Sequence, residues 1–354
     1  MLSVPPCPES MKPTRKKRFL RKRAWHLPGL ALLLAVAPLA ALPASPYAAA
    51  HTALTQGRAD QAVAMLGSII AANPNDAQAR NLLCRVYSAE ERDEDAIREC
   101  AAAVAESPST SDYYRWLGRA YGGKAQRSSA FTAISLAKRV RENFQRAVEL
   151  DPANVAAITD LGEYYVEAPL ALAGGQDKAR PLLPMLEKLD AAQWHWLSAR
   201  IAQTSGDPGT AEAEYKLAIG SASSTAVSNG SASSKAQAWA DLASFYHKQH
   251  RDQDAINAVR TVLAIDTLRD GALVAAAGTL RAIKTEPELT IQMLRSYLAS
   301  SHKTEEEPAF QVDVVLGGVL RERGDLSGAA SQFAAALALA HDYAPAKKAV
   351  EQLP

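Results

Sequence analysis

The sequence predicts an all-α solenoid of antiparallel helix pairs, and three observations support this fold class. Aromatic residues make up only 6% of the 354 residues while alanine is in excess, which favours close helix packing over a large β-core. Apolar residues recur at the three- and four-residue spacing of one helix face. A unit also repeats. An alanine and a proline separated by eleven residues occur at Ala62 and Pro74 and again, 34 residues later, at Ala96 and Pro108.

Each unit carries the small and aromatic residues that two packed helices require. Glycine lets two helix backbones approach closely, and tyrosine and leucine fill the space between successive pairs. The residues at these positions are Leu83, Tyr87, Leu117, Gly118, Tyr121, Leu161, Gly162, Tyr165, Trp239, Leu242 and Tyr246.

These residues resemble the tetratricopeptide repeat family, whose unit is two antiparallel helices with a proline ending the second. The resemblance implies a right-handed superhelical solenoid of about eight helix pairs over residues 43–353. It also implies that the first helix of each pair lines a concave groove that binds other proteins.

Two units depart from the repeat pattern. The third gains residues after Tyr121, which predicts a lengthened second helix, and the fourth has an insertion from Glu167 to Gly175 between its helices. The predicted organisation is a leader at 1–44, repeats 1 to 5 at 45–219, a flexible Gly/Ser/Ala linker at 220–235, repeats 6 to 8 at 236–343, and a solvating cap helix at 344–354.

The N-terminal segment has the layout of a secretory signal peptide. Lysines and arginines crowd the stretch from Lys12 to Arg23, and an apolar run from Leu27 to Leu42 follows them. Either the leader is cleaved after Ala44, which gives a periplasmic or secreted protein, or it stays as an inner-membrane anchor with the repeats facing outward.

The composition and motifs argue against several function classes. The net charge of +1 provides no general attraction for nucleic acid, and membrane contact is expected only through an uncleaved N-terminal segment. The chain has no Gly-rich phosphate loop, nucleophile elbow or His-Glu-x-x-His motif. We therefore expect no enzyme activity, no cofactor and no metal site.

Two cysteines, Cys84 and Cys100, remain in the chain after the leader. They fall on the two predicted helices of one unit, at similar distances from the turn. They could form a disulfide in an exported protein or stay as two small buried thiols, and the sequence leaves both alternatives open.

Four residues are candidates for partner binding in the groove. Arg115 and Arg119 share a helix face, and Arg85 holds the place of Arg119 in the preceding unit, so stacking brings three solvent-facing guanidiniums together as a receptor for acidic side chains. The alternative is a structural ion pair between Arg119 and Glu163. His195 is expected to face the groove beside the core residue Trp194.

These features predict a non-catalytic scaffold or adaptor that binds a partner peptide or helix, with acidic character, outside the cytoplasm. The alternative is a structural subunit that spaces other components of a cell-envelope assembly.

Overall fold

The computed structural model describes residues 45–223 and 234–353, whose helices follow one another in adjacent antiparallel pairs. The prediction of an all-α solenoid is confirmed. The pairs are α1 (Pro46–Thr55) with α2 (Ala59–Ala72), α3 (Ala77–Ala89) with α4 (Asp93–Glu106), α5 (Ser111–Gln126) with α6 (Ala130–Leu150), α7 (Val155–Glu167) with α8 (Gln176–Ala179) and α9 (Leu183–Leu189), α10 (Ala191–Thr204) with α11 (Pro208–Ser221), α12 (Lys235–Lys248) with α13 (Asp252–Ile265), α14 (Gly271–Ile283) with α15 (Pro287–Ala299), and α16 (Ala309–Glu322) with α17 (Leu326–Leu339), before a final α18 (Ala344–Glu351).

The predicted leader, residues 1–44, lies outside the described residues, as do residues 224–233 of the predicted linker. Within 45–223 and 234–353, no helix combines the length and the apolar character needed to cross a bilayer.

Packing is continuous on both sides of the predicted linker. Helix α11 extends to Ser221, and the backbone N–H of Lys235 donates to the carbonyl oxygen of Ser223 at 2.8 Å. The rings of Tyr215 and Phe245 lie 5.2 Å apart and belong to one hydrophobic core. The helices that flank the linker therefore contact each other directly.

Local sequence determines where the helices begin and break. Asp76 caps the start of α3 by accepting the N–H of Ala79 at 2.8 Å, which satisfies one of the free donors of the first turn. The second helix of the fourth pair is broken into α8, a 3₁₀ turn and α9 because Pro181 and Pro184 interrupt the hydrogen-bond ladder. Helix α6 has 21 residues against 14 in α4, which confirms the predicted lengthening.

Glycines mark the places where the two helices of a pair touch. A Cβ atom at Gly317 would lie 2.4 Å from the ring of Phe333, and one at Gly118 would lie 2.6 Å from the ring of Phe144. Both phenylalanines are buried in the second helix of their pair. The small residue and the large one are therefore complementary, as the repeat pattern predicted.

The end of the array packs against its beginning, and we call this the closure contact. Phe310 at the start of α16 lies 4.9 Å, ring to ring, from Tyr343 just before α18, and both are in a buried cluster with Leu54 and Leu66 of the first pair. The side-chain amide of Gln311 donates to the carbonyl oxygen of Ala89 at 2.6 Å.

The closure contact changes the interpretation of the last helix. The segment predicted as a solvating cap does form α18, but Ala346 of this helix is completely buried in the same cluster as the first helices. The end of the chain thus packs on the apolar surface of the first pair, instead of only turning a polar face to water.

Charged groups border the closure contact. His341 Nδ1 lies 2.6 Å from a carboxylate oxygen of Asp60, and Arg92 lies 3.7 Å from Asp342. Glu90 is buried beside them, and its Oε2 accepts no hydrogen bond from the described residues, the nearest cation being Arg92 at 3.6 Å. Burial raises the pKa of Glu90 to about 7, although Arg92 acts in the opposite direction.

This pKa shift predicts a pH-dependent closure contact. Below pH 4.5 Glu90 is neutral in both the folded and unfolded protein, and its burial is least costly there. Between pH 4.5 and about 7 the unfolded protein ionises Glu90 while the folded protein keeps it neutral, so stability falls by a free energy on the order of 3 kcal/mol and then stays constant at higher pH. We expect Glu90→Gln to remove this loss, so that its urea midpoint exceeds that of the parent increasingly as the pH rises. The exposed Glu351→Gln serves as control. A difference in urea midpoint between Glu90→Gln and the parent that stays the same from pH 4.5 to about 7 would contradict the prediction.

Candidate protein-binding site

Three of the four predicted groove residues surround one tryptophan, forming what we call the arginine cluster. The guanidinium carbons of Arg85, Arg115 and Arg119 lie 4.8, 5.1 and 5.0 Å from the ring centroid of Trp116. Trp116 is itself largely buried, so its ring is a fixed platform for the cations. Its position between Arg115 and Arg119 in the sequence was the available signal for this role.

Asp160 supplies the counter-charge for two of these arginines. The Nε of Arg115 donates to Oδ2 of Asp160 at 2.9 Å, and the Nε of Arg119 donates to the same oxygen at 3.0 Å. The alternative ion pair of Arg119 is therefore made with Asp160, one turn before Glu163 on α7. Burial opposes the charge of Arg119, but Asp160, Glu306 and Glu305 hold its pKa above the ordinary value.

The third arginine meets an acid from the far end of the chain. The Nε of Arg85 donates to the carboxylate of Glu305 at 2.9 Å, and Nη2 of the same arginine donates to it as well. Glu305 lies between α15 and α16, in the run Glu305-Glu306-Glu307, which we call the acidic loop. The charge that the sequence predicted for a partner is thus provided by the chain itself.

A buried tyrosine holds the acidic loop in this position. Tyr297 is completely buried, accepts the N–H of Thr304 at 3.0 Å and donates its hydroxyl to the carbonyl oxygen of Glu307. The Nζ of Lys303 donates to the carbonyl oxygen of Ser300 at 2.5 Å. These bonds fix the loop backbone, and the fixed backbone holds Glu305 against Arg85.

The fourth candidate, His195, lies apart from the arginine cluster. Its Nδ1 is 2.7 Å from a carboxylate oxygen of Glu214 on α11, the second helix of its own pair, and its ring lies 4.4 Å from that of Trp194. Trp194 packs against a hydrophobic core as expected. The structure does not bring His195 together with the arginines.

A second polar group on the first helices was missed from the sequence. Arg200 on α10 donates to Glu167 at 2.5 Å, while its Nε is buried without a hydrogen bond to any described residue. Burial raises the pKa of Glu163 on α7, and burial raises the pKa of Asp241 on α12 to about 6. Asp241 accepts a hydrogen bond from Gln237 at 3.0 Å. The first helices therefore carry charge well beyond the arginine cluster.

Cys84 on α3 and Cys100 on α4 are joined by a disulfide, with 2.05 Å between the sulfur atoms. Both residues are completely buried between the two helices of the second pair. Of the two alternatives that the sequence left open, the structure contains the disulfide.

This disulfide predicts a measurable sensitivity to reduction. It closes a loop of 16 residues, which corresponds to about 3 kcal/mol of stabilisation through the unfolded state. We expect dithiothreitol to lower the urea midpoint of the parent and to leave the double variant Cys84→Ala/Cys100→Ala unchanged. Equal midpoints with and without reductant in the parent would show that the bridge contributes nothing.

Comparison with known proteins identifies the repeat. Residues 53–119, which include α2, α3 and α4, match the family model of the tetratricopeptide repeat. Residues 53–119 carry tetratricopeptide repeats. Proteins with such repeats are generally scaffolds for protein–protein interaction. No curated protein matches this chain in sequence.

Solved structures of tetratricopeptide repeat proteins show low similarity to it. A thermophilic member from Thermus thermophilus has 21% sequence identity and a TM-score of 0.43, with 50% of this chain and 90% of that chain covered. PilW, a type IV pilus biogenesis factor, has 13% identity and a TM-score of 0.44, with 62% of this chain and 94% of that chain covered.

Proposed function

We propose that this tetratricopeptide repeat protein is an exported, non-catalytic scaffold that binds an acidic segment of a partner protein at the arginine cluster. The observation that carries the proposal is the contact between Arg85 and Glu305. It shows a carboxylate from a distant part of the chain already bound at this place. A partner carboxylate would meet the same donors.

The remaining hydrogen-bonding capacity of the cluster lies mainly on Arg119. A guanidinium carries five N–H donors, and Asp160 engages only part of those on Arg119. The side chain of Arg119 is 34% exposed, more than twice the exposure of Arg85 or Arg115. Charge-assisted bonds to arginine are strong and directional, so Arg119 is the expected first contact for an incoming acid.

Two features support export. The leader has the layout of a signal peptide or anchor, and the mature part contains a disulfide, a bond that persists in oxidising compartments. A periplasmic or secreted location, or an outward-facing array on an inner-membrane anchor, agrees with both.

The binding proposal can be tested with the chain's own acidic segment as probe. A fluorescent peptide copying residues 301–309 should bind the Glu305→Gln variant about tenfold more tightly than the parent, because the internal carboxylate no longer competes. Adding Arg119→Gln should abolish that gain, and a peptide with glutamines for its three glutamates should not bind.

Glu322→Gln, an exposed change at the end of α16, is the matched control for the loss of one negative charge. Absence of peptide binding by Glu305→Gln at low salt, with its circular dichroism unchanged, would overturn the proposal. The spacer alternative would instead be supported by a partner that co-purifies in fixed stoichiometry and resists high salt, since exposed ion pairs are screened by salt.

A further inference from the structure

The three most exposed large apolar side chains of the described residues lie on two elements that pack together. Phe131 and Ile134, in the first turns of α6, are 90% and 55% exposed, and Leu170, in the 3₁₀ turn after α7, is 83% exposed. This turn packs against α6. Single exposed apolar residues are common, but a cluster of the largest ones marks a surface that something covers.

The supporting backbone holds this cluster in place. The hydroxyl of Tyr164 donates to the carbonyl oxygen of Leu172 at 2.7 Å, and the N–H of Gly175 donates to the carbonyl oxygen of Tyr165 at 2.7 Å. The insertion of the fourth unit is thus fastened to α7. Leu170 projects from this hydrogen-bonded turn, which packs against α6.

Cations follow the apolar residues along the exposed side of α6. Phe131, Ile134, Lys138 and Arg141 are spaced three or four residues apart and so form one stripe, with Arg139 beside it. Between Asp112 and Glu142 the chain has no acidic residue but contains seven lysines and arginines.

Two of the cations nearest the patch, Lys138 and Arg139, keep capacity for an outside anion. Lys124 and Arg127 are neutralised by Glu94 and Asp93. Lys138 is well exposed and has only a loose contact of 3.7 Å with Glu142, and Arg139 donates to the neutral hydroxyl of Tyr121 at 3.3 Å.

We infer that Phe131, Ile134 and Leu170, with Lys138, Arg139 and Arg141, form a docking surface for an anionic lipid bilayer. An exposed aromatic residue with aliphatic neighbours enters the boundary between headgroups and acyl chains, and lysine and arginine beside it bind anionic headgroups. A protein partner would need an apolar surface of its own, whereas a bilayer accepts one ring and two aliphatic chains without further complementarity. This contact is independent of the arginine cluster and does not require the N-terminal leader.

The test uses the chain from Ser45 onward, because residues 44–354 form a compact unit of their own. This protein should co-sediment with phosphatidylglycerol vesicles and much less with phosphatidylcholine vesicles, and added salt should release it. Phe131→Ala should weaken this binding by about tenfold, the effect of one aromatic ring leaving an apolar environment. The double variant Lys138→Gln/Arg139→Gln should bind anionic vesicles more weakly than the parent does, with no change in its binding to phosphatidylcholine vesicles.

Leu217→Ala is the matched control, since Leu217 is a half-exposed leucine on α11, away from the patch. Phe131→Trp adds a direct readout, because its fluorescence should shift to the blue when anionic vesicles are added. Equal vesicle binding by Phe131→Ala and Leu217→Ala would overturn the inference. The inference would also be overturned if the parent did not bind vesicles but formed a concentration-dependent dimer that Phe131→Ala alone dissociated. A second copy of the chain would then cover the patch.

Discussion

Replacing Asp160 with asparagine should destabilise the protein by about 3 kcal/mol, although the change keeps the shape of the side chain. Asp160 is the common acceptor for Arg115 and Arg119, and the side chains of Asp160 and Arg115 are only 10% and 12% exposed. Asparagine leaves the guanidiniums of Arg115 and Arg119 beside Trp116 without the carboxylate that both of them bind. The loss should appear as a lower urea midpoint, while the dependence of the unfolding free energy on urea concentration stays unchanged.

Asp112→Asn is the matched control for this prediction. Asp112 also approaches Arg115, at 3.8 Å, but it is 59% exposed, so its removal should change stability by less than about 0.5 kcal/mol. Equal effects of the two changes would mean that Asp160 is only a surface partner. The same geometry corrects the expectation that the arginines face solvent, because a reversal of Arg115 to glutamate would set two acids together and cost stability.

Shortening Phe310 to alanine should have the second large effect, about 4 kcal/mol, and should loosen the closure contact. Phe310 is almost completely buried and packs on Tyr343 within the cluster formed by the first helices. Its removal leaves a cavity between the two ends of the array. Hydrogen exchange should therefore accelerate in α1, α2 and α18.

Phe333→Ala provides a control with the same loss of volume. Phe333 is equally buried, but its ring packs against Gly317 inside the last pair and belongs to a different core cluster. We expect a similar loss of stability, with faster exchange in α16 and α17 only. If both variants accelerate exchange in the same helices, the two ends of the array are not held by Phe310.

The repeat fold could be predicted because its determinants are local. Each glycine that meets an aromatic ring, such as Gly118 with Phe144, lies within one unit, and the spacing repeats along the chain. The closure contact could not be predicted in this way. It depends on small rotations between successive pairs that add up over the whole array, and pairs such as Asp60 with His341 are separated by 281 residues.

The part of the candidate site that neighbouring units form could also be predicted, whereas its contact with a distant unit could not. The register of neighbouring units placed Arg85, Arg115 and Arg119 together, since stacked first helices align equivalent positions. Glu305 was beyond this reasoning because it lies in a loop of a distant unit, and that loop reaches the cluster only through the closure contact. The contact of His195 with Glu214, on the adjacent second helix, could not be predicted because it depends on side-chain direction.

The closure contact also limits how many units this protein can contain. An open solenoid tolerates the gain or loss of a unit at either end, because each unit contacts only its neighbours. Here one extra helix pair would carry Phe310 and Tyr343 past the first helices, and one fewer would leave them short. Extra length is accommodated instead inside existing units, as in the long α6 and the insertion after α7. We therefore expect the number of helix pairs to be fixed, while the length of individual units can vary.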